Sequence, residues 1–231
     1  MKYFKQLVSL FILVIIPFGL VIWIRIHETT GFASTELILY PLMFGGGSIV
    51  ILYLLKKYFL KEPLIEFNSG AGKWTTDILW GLGLTMIYFI LFFVERLTLS
   101  NILHSRPNME MLGLMLDMRE DPLLLVIWFG PVLWIGIALY EELIRVFVLT
   151  SLWKFSNRKI WVYVSILITS LLIGFAHLSQ GSYGIVTIAI KSMVACFFFY
   201  RYKRFLPLII SHVLYDGLQV GLLLLTYPDQ V

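Results

Sequence analysis

Two adjacent carboxylates, Glu141 and Glu142, and an arginine one helical turn on, Arg145, lie inside an apolar run from Leu123 to Trp153. The only other ionisable side chain in that run is Tyr140. A charge at the centre of a bilayer costs about 3 kcal/mol even on the lenient insertion scale, so such a cluster reads first as a functional site. Later apolar runs add His177, Lys191, His212 and Asp216. Glutamate and histidine converging on a wet pocket within a membrane make a hydrolytic site. The carboxylate takes a proton from water while an imidazole orients that water or steadies a developing oxyanion. The bland alternative is a buried ion-pair network that only fixes helix packing, and Glu142 with Arg145 alone would be satisfied by it.

The elements that must position these groups follow from composition. The chain has 231 residues, 59% hydrophobic and 14% charged, with mean hydropathy +0.87. So few charges cannot cover a soluble domain of this size. The expected class is all-α, a polytopic transmembrane helical bundle with roughly seven spans of some 20 residues each. The runs are Phe4 to Ile24, Leu37 to Leu55, Ile78 to Val94, Leu123 to Trp153, Ile160 to Leu178, Tyr183 to Tyr200 and Leu206 to Leu225. Sustained alternation of a membrane barrel is absent. The run after Lys2 and Lys5 continues without a small-x-small cleavage site, so it reads as a retained span.

Lys2, Lys5, Lys56, Lys57, Lys61, Lys73, Lys154, Arg158, Lys159, Arg201, Lys203 and Arg204 fall on one side of this arrangement. Only Arg25, Arg96, Arg106 and Arg119 fall on the other, which predicts a cytoplasmic N-terminus. The pI near 9.1 therefore reports membrane orientation, and a nucleic-acid partner is excluded. The single cysteine, Cys196, allows no intrachain disulfide. One membrane domain is expected over 1–231, with N-terminal spans and an external segment in 1–121 and the chemistry in a helical core at 122–231. Met109 to Met118 in the external segment fits either an interfacial amphipathic helix or a loop with a short helix. Gly45-Gly46-Gly47 lacks the lysine of a phosphate loop and reads as a close helix contact or a kink.

Spacing refines the cluster. His212 and Asp216 are i, i+4 on one helix face, so Asp216 either holds the imidazole or points at the same ligand. Glu141 and Arg145 are also i, i+4, which makes their ion pair natural. Glu142 lies about 100° round the helix and is i, i+3 to Arg145. Gly174 lets a neighbouring helix approach beside His177, and the polar run Ser179 to Ser182 follows. Lys191 is expected to snorkel or to pair with a carboxylate rather than to do chemistry. His27 and His104 fall in external loops.

These residues resemble the CAAX-protease and bacteriocin-processing (CPBP, or Abi) family of intramembrane endopeptidases. That family shows EExxxR, FxxxH and HxxxN or HxxxD on separate transmembrane helices. Here Glu141-Glu142, Ile173-Gly174-Phe175-Ala176-His177 and His212-Val213-Leu214-Tyr215-Asp216 stand in that order, within roughly residues 123 to 226. Arg145 comes one residue early, and Ile173 replaces the phenylalanine. The early arginine leaves either glutamate free to face the pocket, and Glu141 is the one expected to do so.

The resemblance implies hydrolysis of a peptide bond in a membrane-associated protein or peptide. Glu141 would be the base and His177 would position the water, with His212 and Asp216 steadying the oxyanion. Glu141, His177 and His212 would suit zinc in number and kind, but no HExxH is present and a glutamate–histidine water needs no metal. A metal-free mechanism is the expectation, in a multi-pass protein of the cell membrane. A non-catalytic binding or immunity protein of the same fold, and a transporter using the carboxylates as relays, are the competing readings. Straight helices would set His177 and His212 two or more turns apart in depth. The expectation is that the helices flanking Trp153 to Lys159 project past the bilayer and remove that mismatch.

Overall fold

The computed structural model describes residues 2–17, 19, 36–105 and 109–226. Every regular element among them is a helix, as a chain in lipid requires when its backbone groups must pair within one segment. Six helices are long and apolar enough to cross a bilayer. In chain order the helices are α1 (Tyr3–Ile15), α2 (Glu36–Leu60), α3 (Trp74–Thr98), α4 (Met109–Asp117), α5 (Pro122–Trp153), α6 (Lys159–Ala176), α7 (Gly181–Tyr202) and α8 (Leu206–Thr226). The protein is a polytopic helical bundle. The first expected span is described only in part, as the 13-residue α1. Its continuation towards Ile24, with His27, lies outside the described residues.

The 32-residue α5 is the axis of the bundle. Its start is written locally: Asp121 Oδ1 accepts from the amides of Leu123 (2.9 Å) and Leu124 (3.2 Å), and Pro122 supplies a preset first turn. Pro131 lacks an amide hydrogen and crowds the residue before it, and Gly130 leaves helical geometry at φ −87°, ψ −109°. Beyond this break α5 runs on to Trp153 and carries the carboxylates. α2 crosses α5 backbone to backbone. A Cβ on Gly136 would stand 2.8 Å from the Pro41 carbonyl carbon, so glycine is what permits the contact. Gly45, inside the glycine triplet, is the matching residue on α2.

α6 and α7 form a hairpin, and α8 packs along α3. One apolar core, around Leu52, Phe147, Leu149 and Phe199, fills the end of the bundle rich in lysine. A second, around Trp128, Leu133, Met118 and Val213, fills the other. Polar clamps close the basic end. Glu62 accepts from Gln6 Nε2 (2.7 Å), Lys154 Nζ (2.6 Å) and Lys56 Nζ (3.2 Å), while Lys56 also pairs with Glu66. Burial works against the Glu62 carboxylate, but the Lys154 hydrogen bond and the charges of Lys154 and Lys56 outweigh it and hold its pKa below the ordinary value. Arg204 bridges Asp77 at the start of α3 and the Gly70 carbonyl. At the opposite end, the amide of Tyr183 donates to the His104 carbonyl (3.1 Å) and the amide of His104 to Ser182 Oγ (3.0 Å).

Candidate functional site

Between α3, α5, α7 and α8 lies a cavity of about 630 Å³, within the size range of small-molecule and peptide sites. Glu141, Glu142 and Arg145 reach it from α5, His177 from the end of α6, and His212 and Asp216 from α8. These six candidate residues, together with Lys191, line this one space.

Each is held by its own element. Glu142 and Arg145 are buried, at 2% and 6% exposure, and pair with each other through Glu142 Oε1. Arg145 Nε also donates to Ser192 Oγ on α7 at 3.1 Å. The pairing expected between Glu141 and Arg145 is not the one formed. The i, i+3 partner takes the arginine, and Glu141, a third of a turn away, keeps its side chain 27% exposed to the cavity.

His212 stands among three carboxylates. Nδ1 is 2.8 Å from Glu142 Oε1, and Nε2 is 3.2 Å from Asp216 Oδ2 and 3.9 Å from Glu141 Oε2. Carboxylates only accept, so a ring carrying both N–H groups satisfies both near neighbours. The i, i+4 stacking on α8 therefore positions the imidazole as its spacing indicates.

His177 ends α6 at φ −102°, ψ 26°, outside helical geometry. Its Nδ1 lies 2.9 Å from the Ile173 carbonyl, one of the acceptors that a helix end leaves unpaired. A carbonyl cannot donate, so Nδ1 carries the hydrogen, and in the neutral ring Nε2 is left as an acceptor. Gly174 lets α7 approach: a Cβ there would meet Ala189 Cβ at 2.9 Å.

Among the described residues no three His, Cys, Asp or Glu side chains gather so as to hold a metal ion. Glu141, His177 and His212 nonetheless line the same cavity. Glu141 Oε2 stands 3.9 Å from His212 Nε2, and the Nδ1 atoms of His212 and His177 meet Glu142 and the Ile173 carbonyl, an arrangement that fixes each ring through one nitrogen.

The sequence reading missed several lining residues. Glu95 sits at the far end of α3 and pairs with Lys191, which confirms a carboxylate partner for that lysine. The signal was present: Tyr88, Phe92 and Glu95 are spaced i, i+4, i+7 and share one helix face turned to the cavity. Ending the span at Val94 hid it. Leu112 and Met115 of α4 also line the space, so Met109–Asp117 is a helix that helps to roof the site.

Comparison with known proteins bears on the same elements. Residues 123–218, from α5 into α8, match the family model described as type II CAAX prenyl endopeptidase, Rce1-like. No curated protein and no solved structure matches. The match covers the residues that carry Glu141, Glu142, His177, His212 and Asp216. Over this stretch the α5–α8 core of this multi-pass membrane protein is thus similar to the Rce1-like type II CAAX prenyl endopeptidases, a protease family of the CPBP group.

Proposed function

We propose that the protein is an intramembrane endopeptidase that cleaves a membrane-associated protein or peptide with a water activated by Glu141. One observation carries the reading: carboxylates and imidazoles from α5, α6 and α8 share a single cavity between membrane-spanning helices. A packing network would bury all of its members. Here, among the described residues, Glu141 has no pairing partner closer than 3.9 Å and lines the open cavity.

In the mechanism a water held between Glu141 and His177 Nε2 gives its proton to Glu141. Its oxygen bonds to the substrate carbonyl carbon, and the C=O π pair moves to oxygen. The His212 Nε2–H, already near Glu141 and Asp216, donates to that oxyanion. The proton on Glu141 then passes to the departing nitrogen as the C–N bond breaks, leaving a carboxylic acid and an amine. Glu142 and Arg145 are positioning residues: Glu142 holds Nδ1 of His212, and Arg145 holds Glu142. No step is routed through a metal.

The family description makes a prenylated C-terminal peptide the first substrate class to test. The decisive assay uses the full chain reconstituted in vesicles with a farnesylated peptide panel. Glu141→Gln should fold normally and lose about 10²–10⁴-fold in cleavage rate. Undiminished cleavage by that variant would refute the assignment.

A further inference from the structure

On the flank of the bundle away from the catalytic cavity, two hollows meet at the basic end of α2. One, of about 660 Å³, is lined by Tyr53, Lys57, Tyr58 and Lys61 with Glu62, Pro63 and Leu64. The other, of about 470 Å³, is almost wholly apolar and runs down α2 between Ile49, Val50 and Leu52 on one side and Leu143, Phe67 and Phe205 on the other. Tyr53 and Leu64 line both, so the two are continuous. Neither shares a residue with the catalytic cavity.

The charges of the first hollow are unbalanced. Lys57 donates to Tyr53 Oη at 2.8 Å and lies 5.2 Å from the Tyr53 and Tyr58 ring centres. Among the described residues neither Lys57 nor Lys61 has an acidic partner. Glu62 belongs to the same lining, but its carboxylate is engaged by Gln6, Lys56 and Lys154.

Lys61 supplies an independent clue. It ends the helix in the left-handed conformation at φ 57°, a site where glycine is favoured and a side chain is held at a cost. The other non-glycine residue in this conformation among the described residues, Lys203, uses its side chain to cover the Trp153 ring at 3.5 Å. Lys61 is exposed and, among the described residues, covers no ring, so its ammonium is open to a group from outside the chain.

We propose that this double hollow is a binding site for one anionic phospholipid, its phosphate held by Lys57 and Lys61 and one acyl chain laid in the apolar groove. A free phosphate accounts for the lysines but leaves the groove empty. A zwitterionic lipid fills the groove but brings a cationic headgroup against two lysines. Basic pockets at the edge of transmembrane helices hold acidic headgroups by this combination.

The test is native mass spectrometry of the full chain in detergent with equal amounts of dioleoyl phosphatidylglycerol and dioleoyl phosphatidylcholine. The wild type should retain one phosphatidylglycerol preferentially. Lys57→Gln with Lys61→Gly should lose that preference by about thirty-fold, the combined worth of two lysines at an anionic surface. Glycine suits the left-handed site, and Lys57→Arg with Lys61→Arg should keep the preference, which separates charge from folding. Equal retention of both lipids by the wild type overturns the proposal, as does an unchanged preference in the Gln/Gly variant. Displacement of the lipid by millimolar glycerol 3-phosphate would reduce the site to a phosphate pocket and overturn it as well.

Discussion

Glu142 Oε1 stands 2.8 Å from Nδ1 of His212, seventy residues further along the chain, and the same carboxylate holds Arg145. One buried acid thus locks the imidazole of α8 to the arginine of α5. Its neighbour Glu141 is left free in the cavity, and adjacent identical residues acquire different duties from a third of a helical turn.

That division predicts opposite phenotypes. Glu142→Leu should leave the Arg145 charge buried and unpaired and destabilise the protein by about 3–5 kcal/mol. Glu142→Leu with Arg145→Met should recover most of that stability and remain inactive, because His212 loses its holder. Glu141→Gln should change stability by less than about 0.5 kcal/mol. Denaturant unfolding in mixed micelles, run beside the cleavage assay, separates the three.

Asp216 lies 3.2 Å from His212 Nε2, the nitrogen assigned to the oxyanion. Asp216→Asn keeps the shape and removes the charge, and the rate should fall by about 10²-fold with little change in KM. A loss confined to KM would mean that Asp216 binds substrate rather than tuning the imidazole.

The Glu62 clamp predicts an acid limit at the basic end. Its folded pKa lies below the ordinary 4.5, so its stabilisation is complete above about pH 4.5 and is lost as pH falls through the lower folded value. Amide exchange over residues 62–68 should quicken in that window. In Glu62→Gln the acid-dependent step should vanish, and a step of unchanged size would assign it to another group.

At the α2–α5 crossing, Gly136→Ala should cost about 1–3 kcal/mol, because the added methyl meets the Pro41 backbone and backbone cannot step aside. Gly83→Ala, where a Cβ meets nothing within 4 Å, is the control and should be neutral or stabilising. Thermal unfolding of the two variants in one detergent decides it.

Much of this was written in the order of residues. Long apolar runs force helices, since unpaired backbone in lipid is too costly, and any charge within them must be compensated. Glu141, Glu142, Arg145, His177, His212 and Asp216 were therefore visible as outliers against their own surroundings, and Asp121-Pro122 marked where α5 begins. What local pattern could not decide was partnership. Arg145 is within reach of both glutamates along the helix, and only the arrival of His212 and Ser192 from other helices settled it on Glu142. Glu95 looked like a span end until α7 brought Lys191 beside it, and α4, open between an interfacial helix and a loop with a short helix, is a helix whose leucine and methionine line the cavity. Spacing along one helix reports which residues share a face. Which face meets which is set by packing among helices far apart in the chain, and that exists only in three dimensions.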